Sequence, residues 1–486
     1  MTSADGYITE IPYVVRYHRE LNPTILKLAL ALQGIAWEPH ALRYLELGCG
    51  FGLPALFNAA GNPEMTVAAV DINAEHIDTA RGIARSAGLG NIRFIEAAFA
   101  GLETSDLGTF DVVTLHGVWS WINGENRAHI LRFIDRHLAP GGIVYLSYNS
   151  LPGLASVLPL RELMREVYEN MTGAAEVRAD AGVKFAERVR SVGAQYFQVN
   201  PRAALTLDAI LPKSRNALAH EYFNSDWSAF YHHEVARAFH PLGLNYAASA
   251  YLFDNIDYLN YPQAALALLD EQPPESRETL KDYFANREFR RDIFMREPVV
   301  RANPIDLLRR TVFASAGGPD GVNLVSGQTP LGKITIKAEL GRPVLTALAG
   351  EPLSIDAICA HPACAGLKTA DVIETVIMLC AMNAAEPALP SPTLRERKAV
   401  TDRLNAVLWE AAAKVDVIHS SVSPVTGGGV GLPRVEQLFM LARARAEDPE
   451  SFLRGIFGAA LQGDIRANYA QFMETRLPVL QKLGIG

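Results

Sequence analysis

Glu46, Gly48, Gly50 and Gly52 occupy alternate positions in the stretch Tyr44-Leu-Glu-Leu-Gly-Cys-Gly-Phe-Gly52, at the end of a short apolar run. Glycines at such a turn strip away side chains and let backbone approach a ligand. The carboxylate decides which ligand. A dinucleotide fingerprint, G-x-G-x-x-G, needs its third glycine at 53, where leucine stands, and Gly52 comes one place early. That fingerprint also aims a helix N-terminus at a pyrophosphate, which a carboxylate two residues ahead would repel. Glu46 suits a cation instead. Asp71 ends a second apolar run, "MTVAAVDIN", where a carboxylate can accept both hydroxyls of a ribose. Blander readings stay open: Glu46 as a salt-bridged carboxylate, and Asp71 as the N-cap of the next helix.

These residues need a frame that brings strand ends together. Residues 42–48, 65–73, 91–97, 110–117 and 141–149 read as five apolar strands. Segments with apolar residues at helical spacing separate them, "AEHIDTARGIARSAGL" among them. Repeated β-α-β units with continuously apolar strands predict a parallel, doubly wound α/β sheet of Rossmann-like type over residues 1–150. The rhythm then stops, and 151–217 reads as a helical insertion. It resumes over 218–297, where "FRRDIFMR" (289–296) alternates like a strand and completes the sheet. A middle region, 298–390, reads as short helices with a wing-like return, and 391–486 as a helical C-terminal domain. "SPVTGGGVGLP" (423–433) reads as a flexible loop.

The 486 residues exceed what one core usually holds. Net charge is −8, which argues against a broad nucleic-acid surface. The winged-helix-like part likewise lacks a basic recognition stripe. Four cysteines are too few and too scattered for a disulfide framework, and Cys359 and Cys364 have no second pair at zinc spacing. His220, Glu221, His232 and His233 invite a metal reading, but the adjacent histidines point apart on a helix, so no metal is expected. The N-terminus lacks a signal peptide's basic start and apolar core, and no run is long enough to span a bilayer. A cytoplasmic location is the default expectation.

The pattern E-x-G-x-G-x-G at the end of the first strand resembles that of class I methyltransferases, and here it is Glu46, Gly48, Gly50 and Gly52. The resemblance implies S-adenosylmethionine as cofactor. It would lie against the Gly48–Gly52 backbone, with Gly48, Cys49 and Gly50 in contact, Glu46 near its methionine end, Asp71 on the ribose and Ile72 over the adenine. One departure is visible: many relatives carry an acidic residue after strand three, where this chain has Glu96-Ala97-Ala98-Phe99. Adenine would then rest on Ala98 and Phe99, or Glu96 would substitute. Further segments, "HGVWSWI" (116–122), "SYNSLPG" (147–153), "AHEYFNSDWSAFYHHE" (219–234) and "LKDYFANREFRRDIFMR" (280–296), narrow the resemblance to bacterial methyltransferases with a methyltransferase regulatory domain. That group includes lysine methyltransferases acting on outer-membrane proteins. In them the helical insertion serves dimerisation, which implies a homodimer here, and the C-terminal domains extend the substrate surface.

Methyl transfer from a sulfonium is an in-line displacement, so positioning and water exclusion are the protein's work. His116, Trp119, Trp121, Tyr148 and Asn149 follow strand ends, where ligands of open sheets sit. His116 could take a proton or wall the pocket and touch the cofactor. Trp119 and Trp121 could contact the acceptor or anchor their loop. Tyr148 and Asn149 resemble a polar motif beside the acceptor nitrogen. Tyr7, Tyr13 and Tyr17 precede the first strand, where relatives fold a lid over the cofactor; packing of a helix onto the sheet is the other reading. The expectation is a methyltransferase acting on protein lysine. Rivals are a small-molecule N- or O-methyltransferase and a non-catalytic binder of the cofactor used for regulation or assembly.

Overall fold

Seven runs, most of them rich in valine, isoleucine, leucine or phenylalanine, pair into one sheet in the computed structural model. It describes residues 3–4, 7–8, 16–39, 42–103, 105–317, 326–416, 418–458 and 463–486. The strands are β1 (Arg43–Leu47), β2 (Thr66–Asp71), β3 (Ile92–Glu96), β4 (Phe110–Leu115), β5 (Leu138–Asn149), β6 (Leu244–Ser249) and β7 (Phe289–Arg296). Their spatial order is β3-β2-β1-β4-β5-β7-β6. The first five are parallel, and β7 runs antiparallel to both β5 and β6. Glu46 stands opposite Ala69 and Thr114, and Asp71 opposite Glu96, so the carboxyl ends form one rim.

Side-chain alternation assigns each strand residue to a face. Tyr44, Val67, Ala69, Val112, Ile143 and Tyr145 pack on one side, beneath α1 (Pro23–Leu32), α2 (Leu53–Gly61) and α3 (Ala74–Ala87). Leu45, Ala68, Val70, Val113, Leu146 and Tyr148 pack on the other, beneath α4 (Gly124–His137) and α9 (His232–Phe239). Local signals start and stop these helices. Asn22 caps α1 by accepting from Thr24 N, with Pro23 at its first position, and Asn73 caps α3, which left-handed Gly88 ends.

Between β5 and β6 lie α5 (Leu158–Glu169), α6 (Ala175–Ser191), α7 (Pro201–Ile210) and α8 (Arg215–Tyr222), with their own core of Leu160, Met164, Val183, Leu207 and Phe223. After β7, strand β8 (Val312–Ser315) pairs with β9 (Leu353–Ser354) and β10 (Ala385–Pro387), next to α11 (Thr369–Ala381). Helix α12 (Leu394–Ala412) then packs on α2 and α3. Phe313, Val344, Val376 and Leu404 share one continuous core with the sheet, so the C-terminal region roofs the face that carries Glu46. Among the described residues, no helix is long and apolar enough to cross a membrane.

The reading of 423–433 as a flexible loop is overturned. Ser420–Val422 pairs antiparallel with Gly429–Gly431, and Ser421, Ser423 and Thr426 are buried. The glycines there serve contact rather than mobility. A Cβ on Gly428 would lie 2.2 Å from Asn22 Nδ2 and 2.6 Å from Tyr17 Oη, and one on Gly429 would lie 2.7 Å from Phe57. Gly428→Val is therefore expected to lower stability by about 1–3 kcal/mol through overpacking. Urea unfolding checks it: the midpoint should drop with the slope unchanged.

Candidate active site

The turn after β1 uses its three glycines differently. All three adopt left-handed φ, +72° at Gly48, +52° at Gly50 and +67° at Gly52. A Cβ on Gly48 would lie 2.5 Å from Val118 Cγ2, and one on Gly52 2.4 Å from Phe94 Cε1, so these two permit close packing. Nothing lies within 4 Å of a Cβ on Gly50. Gly50 faces a cleft at the strand-end rim, where a backbone without a side chain leaves room for a ligand.

Two carboxylates face this cleft. Asp71 Oδ2 accepts from Gly50 N at 2.8 Å and Oδ1 from Asn73 N at 2.9 Å, which locks the turn to the end of β2. His76 Nδ1 is 3.5 Å from Asp71 Oδ1, and the His76 ring packs on Phe51 at 4.2 Å. Glu46 is only 3% exposed, and its Oε2 has no hydrogen-bond partner. Burial pushes the Glu46 carboxyl up to about 8; an Ala55 backbone bond opposes this and the Asp71 charge adds to it. A buried carboxylate oxygen without a partner is a site made for a cationic or N–H donor group. Ile72, Ala97, Ala98 and Phe99 supply an apolar wall past Asp71, while Glu96 is exposed and does not line the cleft. These residues fit S-adenosylmethionine: a carboxylate for its ammonium end, one for its ribose, and an apolar slot for its adenine.

The opposite wall is largely aromatic, with two imidazoles at its centre and the Arg16 guanidinium at its side. His116 follows β4 on the same face as Glu46, and its Nδ1 lies 2.7 Å from Tyr145 Oη. Its ring stacks on His18 at 3.7 Å between centroids. Burial pulls His18 down to about 4, against the opposing charge of Glu20. Burial, reinforced by His18, holds His116 well below the usual range. Both imidazoles are neutral at physiological pH. Arg16, Val118, Trp121, Ile122 and Asn126 complete the wall.

Of the residues singled out from sequence, Glu46, Gly48, Cys49, Gly50, Asp71, Ile72, Ala98, Phe99 and His116 meet in this one cleft. The structure places four others elsewhere. Tyr148 points to the opposite face of β5, fully buried, and its hydroxyl donates to Asp292 Oδ2 at 2.7 Å. Asn149 is buried, with its backbone N–H bonded to Ser120 Oγ at 2.9 Å. Trp119 is 3% exposed and packs on Phe239 at 5.5 Å, anchoring its turn, while Trp121 takes the cleft. Tyr17 is turned away, with its ring on Phe57 at 5.1 Å. Tyr13 lies outside the described residues, as does the side chain of Tyr7. Sequence reasoning passed over Arg16, His18 and His76. For the first two, the alternation Arg16-Tyr17-His18, polar side chains to one face and tyrosine to the other, was the available signal.

Asp71→Asn should weaken cofactor affinity at least tenfold, because the amide loses the charge and one of its two acceptor positions beside Gly50 N and the ribose. Calorimetric titration checks it; an unchanged dissociation constant would contradict the ribose assignment.

A sheet in this order, with a glycine turn and two carboxylates at its rim, defines a class I, S-adenosylmethionine-dependent methyltransferase. Residues 45–142 match the family described as a methyltransferase domain, and 214–296 match the predicted methyltransferase regulatory domain. The chain belongs to the family that joins these two. An uncharacterised protein of Synechocystis is 32% identical over 507 aligned positions, covering 100% of both chains. An uncharacterised Rickettsia prowazekii protein is 28% identical over 296 residues, covering 58% of this chain and 51% of the other. PKMT2 from Rickettsia typhi in complex with AdoHcy has the same fold. Its TM-score is 0.69 at 19% identity, over 97% of this chain and 98% of that one.

Proposed function

We propose that the enzyme methylates protein lysine side chains. The observation that carries this reading is the His18–His116 stack, an uncharged aromatic wall facing the cofactor cleft. S-adenosylmethionine, when bound, supplies an electrophilic methyl carbon. A lysine must meet it as a neutral amine although its free pKa is about 10.4. Neutral imidazoles and the Trp121 indole desolvate the incoming ammonium and lower that value, and they hold the amine in line. His116 acts here as wall rather than base. Its basicity lies well below the usual histidine value, and a transfer from ammonium costs about 1.4 kcal/mol per unit of pKa difference. The proton leaves to water as the amine enters. The fold shared along the whole chain with PKMT2, insertion and C-terminal region included, adds support.

Incubation with methyl-labelled cofactor and a bacterial protein extract tests the proposal. Label on protein, recovered as methyl-lysine after hydrolysis, is the expected result. Label on small molecules would favour an N- or O-methyltransferase of metabolites. Label nowhere would overturn the lysine reading.

A further inference from the structure

His18 sits on a short segment whose alternate side chains face opposite ways. Residues 16–18 precede a single 3-10 turn at Arg19–Leu21, and His18 itself is extended, with φ −113° and ψ 109°. Arg16 and His18 line the cofactor cleft, while Tyr17 and Arg19 point to the C-terminal region. Each is held by a different part of it. Arg19 Nη2 pairs with Glu386 Oε2 at 2.7 Å, and Nη1 donates to Cys380 O at 2.9 Å, so it grips β10 and the end of α11 together. The Tyr17 hydroxyl lies against the Gly428–Gly429 backbone of the C-terminal hairpin, in a space that no Cβ could share. Both side chains belong to partners more than 350 residues away in the chain. Between these two attachments, His18 is pressed onto His116.

We propose that Tyr17 and Arg19 are positioning residues through which the C-terminal region sets His18 against His116 and so shapes the methyl-transfer end of the cleft. The C-terminal region is then part of the active site's construction as well as its surroundings. A largely enclosed ion pair is well suited to this task, because breaking it leaves a poorly compensated charge, which fixes one arrangement against looser ones. The inference rests on methyltransferase activity and does not require that the acceptor be lysine.

The test uses the full chain with carbon-13 at histidine C2, with the His18 resonance assigned through His18→Asn. Arg16, Glu20, Arg291 and His116 are the charged and titratable groups around His18, and none is altered. In the wild type, His18 should stay unprotonated down to about pH 5. In Arg19→Met its midpoint should climb by about one unit or more toward 6.5, the free value. His137, which bonds Gly108 O on the far side of the sheet, should not move. The initial methylation rate should fall more than tenfold, while affinity for the demethylated cofactor changes less than threefold. The double exchange Arg19→Glu with Glu386→Arg should restore both His18 and the rate. An unmoved His18 in Arg19→Met overturns the proposal, and so does a shift of His137 alongside it, which would mean general loosening. Where the wild type labels no protein, the lysine reading has failed, and the titration still judges this one.

Discussion

Arg290→Met is expected to destabilise the protein by about 3–5 kcal/mol, the usual result of breaking a buried ion network from one side. Arg290 is 3% exposed on β7. Its Nε donates to both oxygens of Asp292, Nη1 to Asp282 at 2.6 Å and Nη2 to Glu278 at 2.8 Å. Glu278 and Asp282 lie on α10 (Pro274–Ala285), so one guanidinium joins the regulatory-domain helix to the sheet. Methionine would fill much of the volume and leave three carboxylates facing one another, two of them, Asp282 and Asp292, buried. Arg287 and Lys281 soften the loss by pairing with Asp282 and Glu278. Asp282 is already pushed up to about 7, chiefly by burial, with Arg290 and Arg287 opposing. Without Arg290 it should hold its proton to still higher pH. The deficit should therefore shrink as pH falls toward 5. Urea unfolding at pH 5 and pH 8 measures this; a loss below 1 kcal/mol at pH 8 would show that the network is dispensable.

The same network explains why part of the site could be read from the sequence and part could not. Glu46, the glycine turn and Asp71 are local: each sits at a strand end, and parallel pairing brings neighbouring strand ends to one rim whatever else the chain does. Tyr148 and Asn149 also follow a strand end, and spacing alone offered them to the acceptor. Which face each meets depends on register. Tyr145 shares the face of Glu46 and reaches His116, whereas Tyr148 belongs to the face where Asp292 waits, a partner from β7 that no local pattern announces. The tryptophans show the same limit. A 3-10 turn at Trp119–Trp121 sends the first into Phe239 and the second into the cleft, where extended alternation would have kept them together. Gly427, Gly428 and Gly429 look like punctuation until Tyr17 and Asn22 arrive from the other end of the chain. Local chemistry was legible; contacts across hundreds of residues were not.

Glu46 supplies the sharpest functional expectation. The carboxylate form should be the one that receives the cofactor's ammonium group, yet in the free enzyme burial holds Glu46 up to about 8. Binding must then expel a proton, and affinity should rise about tenfold per pH unit between pH 6 and 7. Near pH 8 the curve should turn over, because an α-amino group loses its own charge at about 7.7–8.0. Glu46→Gln removes the titrating group: its affinity should be lower by about 100-fold at pH 8, converging on the wild type toward pH 6. Stability runs the other way. The folded-state value lies above the unfolded one, so this group's contribution is fully present below the unfolded pKa of 4.5. It is lost as pH climbs toward 8, because the unfolded chain gives up the proton first. Without cofactor, Glu46→Gln should match the wild type near pH 4 and exceed it at pH 8. Calorimetry across pH for both proteins, beside thermal unfolding of each, reads the two slopes. Parallel binding curves for the two would mean that Glu46 does not meet the ammonium group, and a variant less stable than the wild type at pH 8 would mean that its carboxylate is held in the free enzyme by a partner of its own.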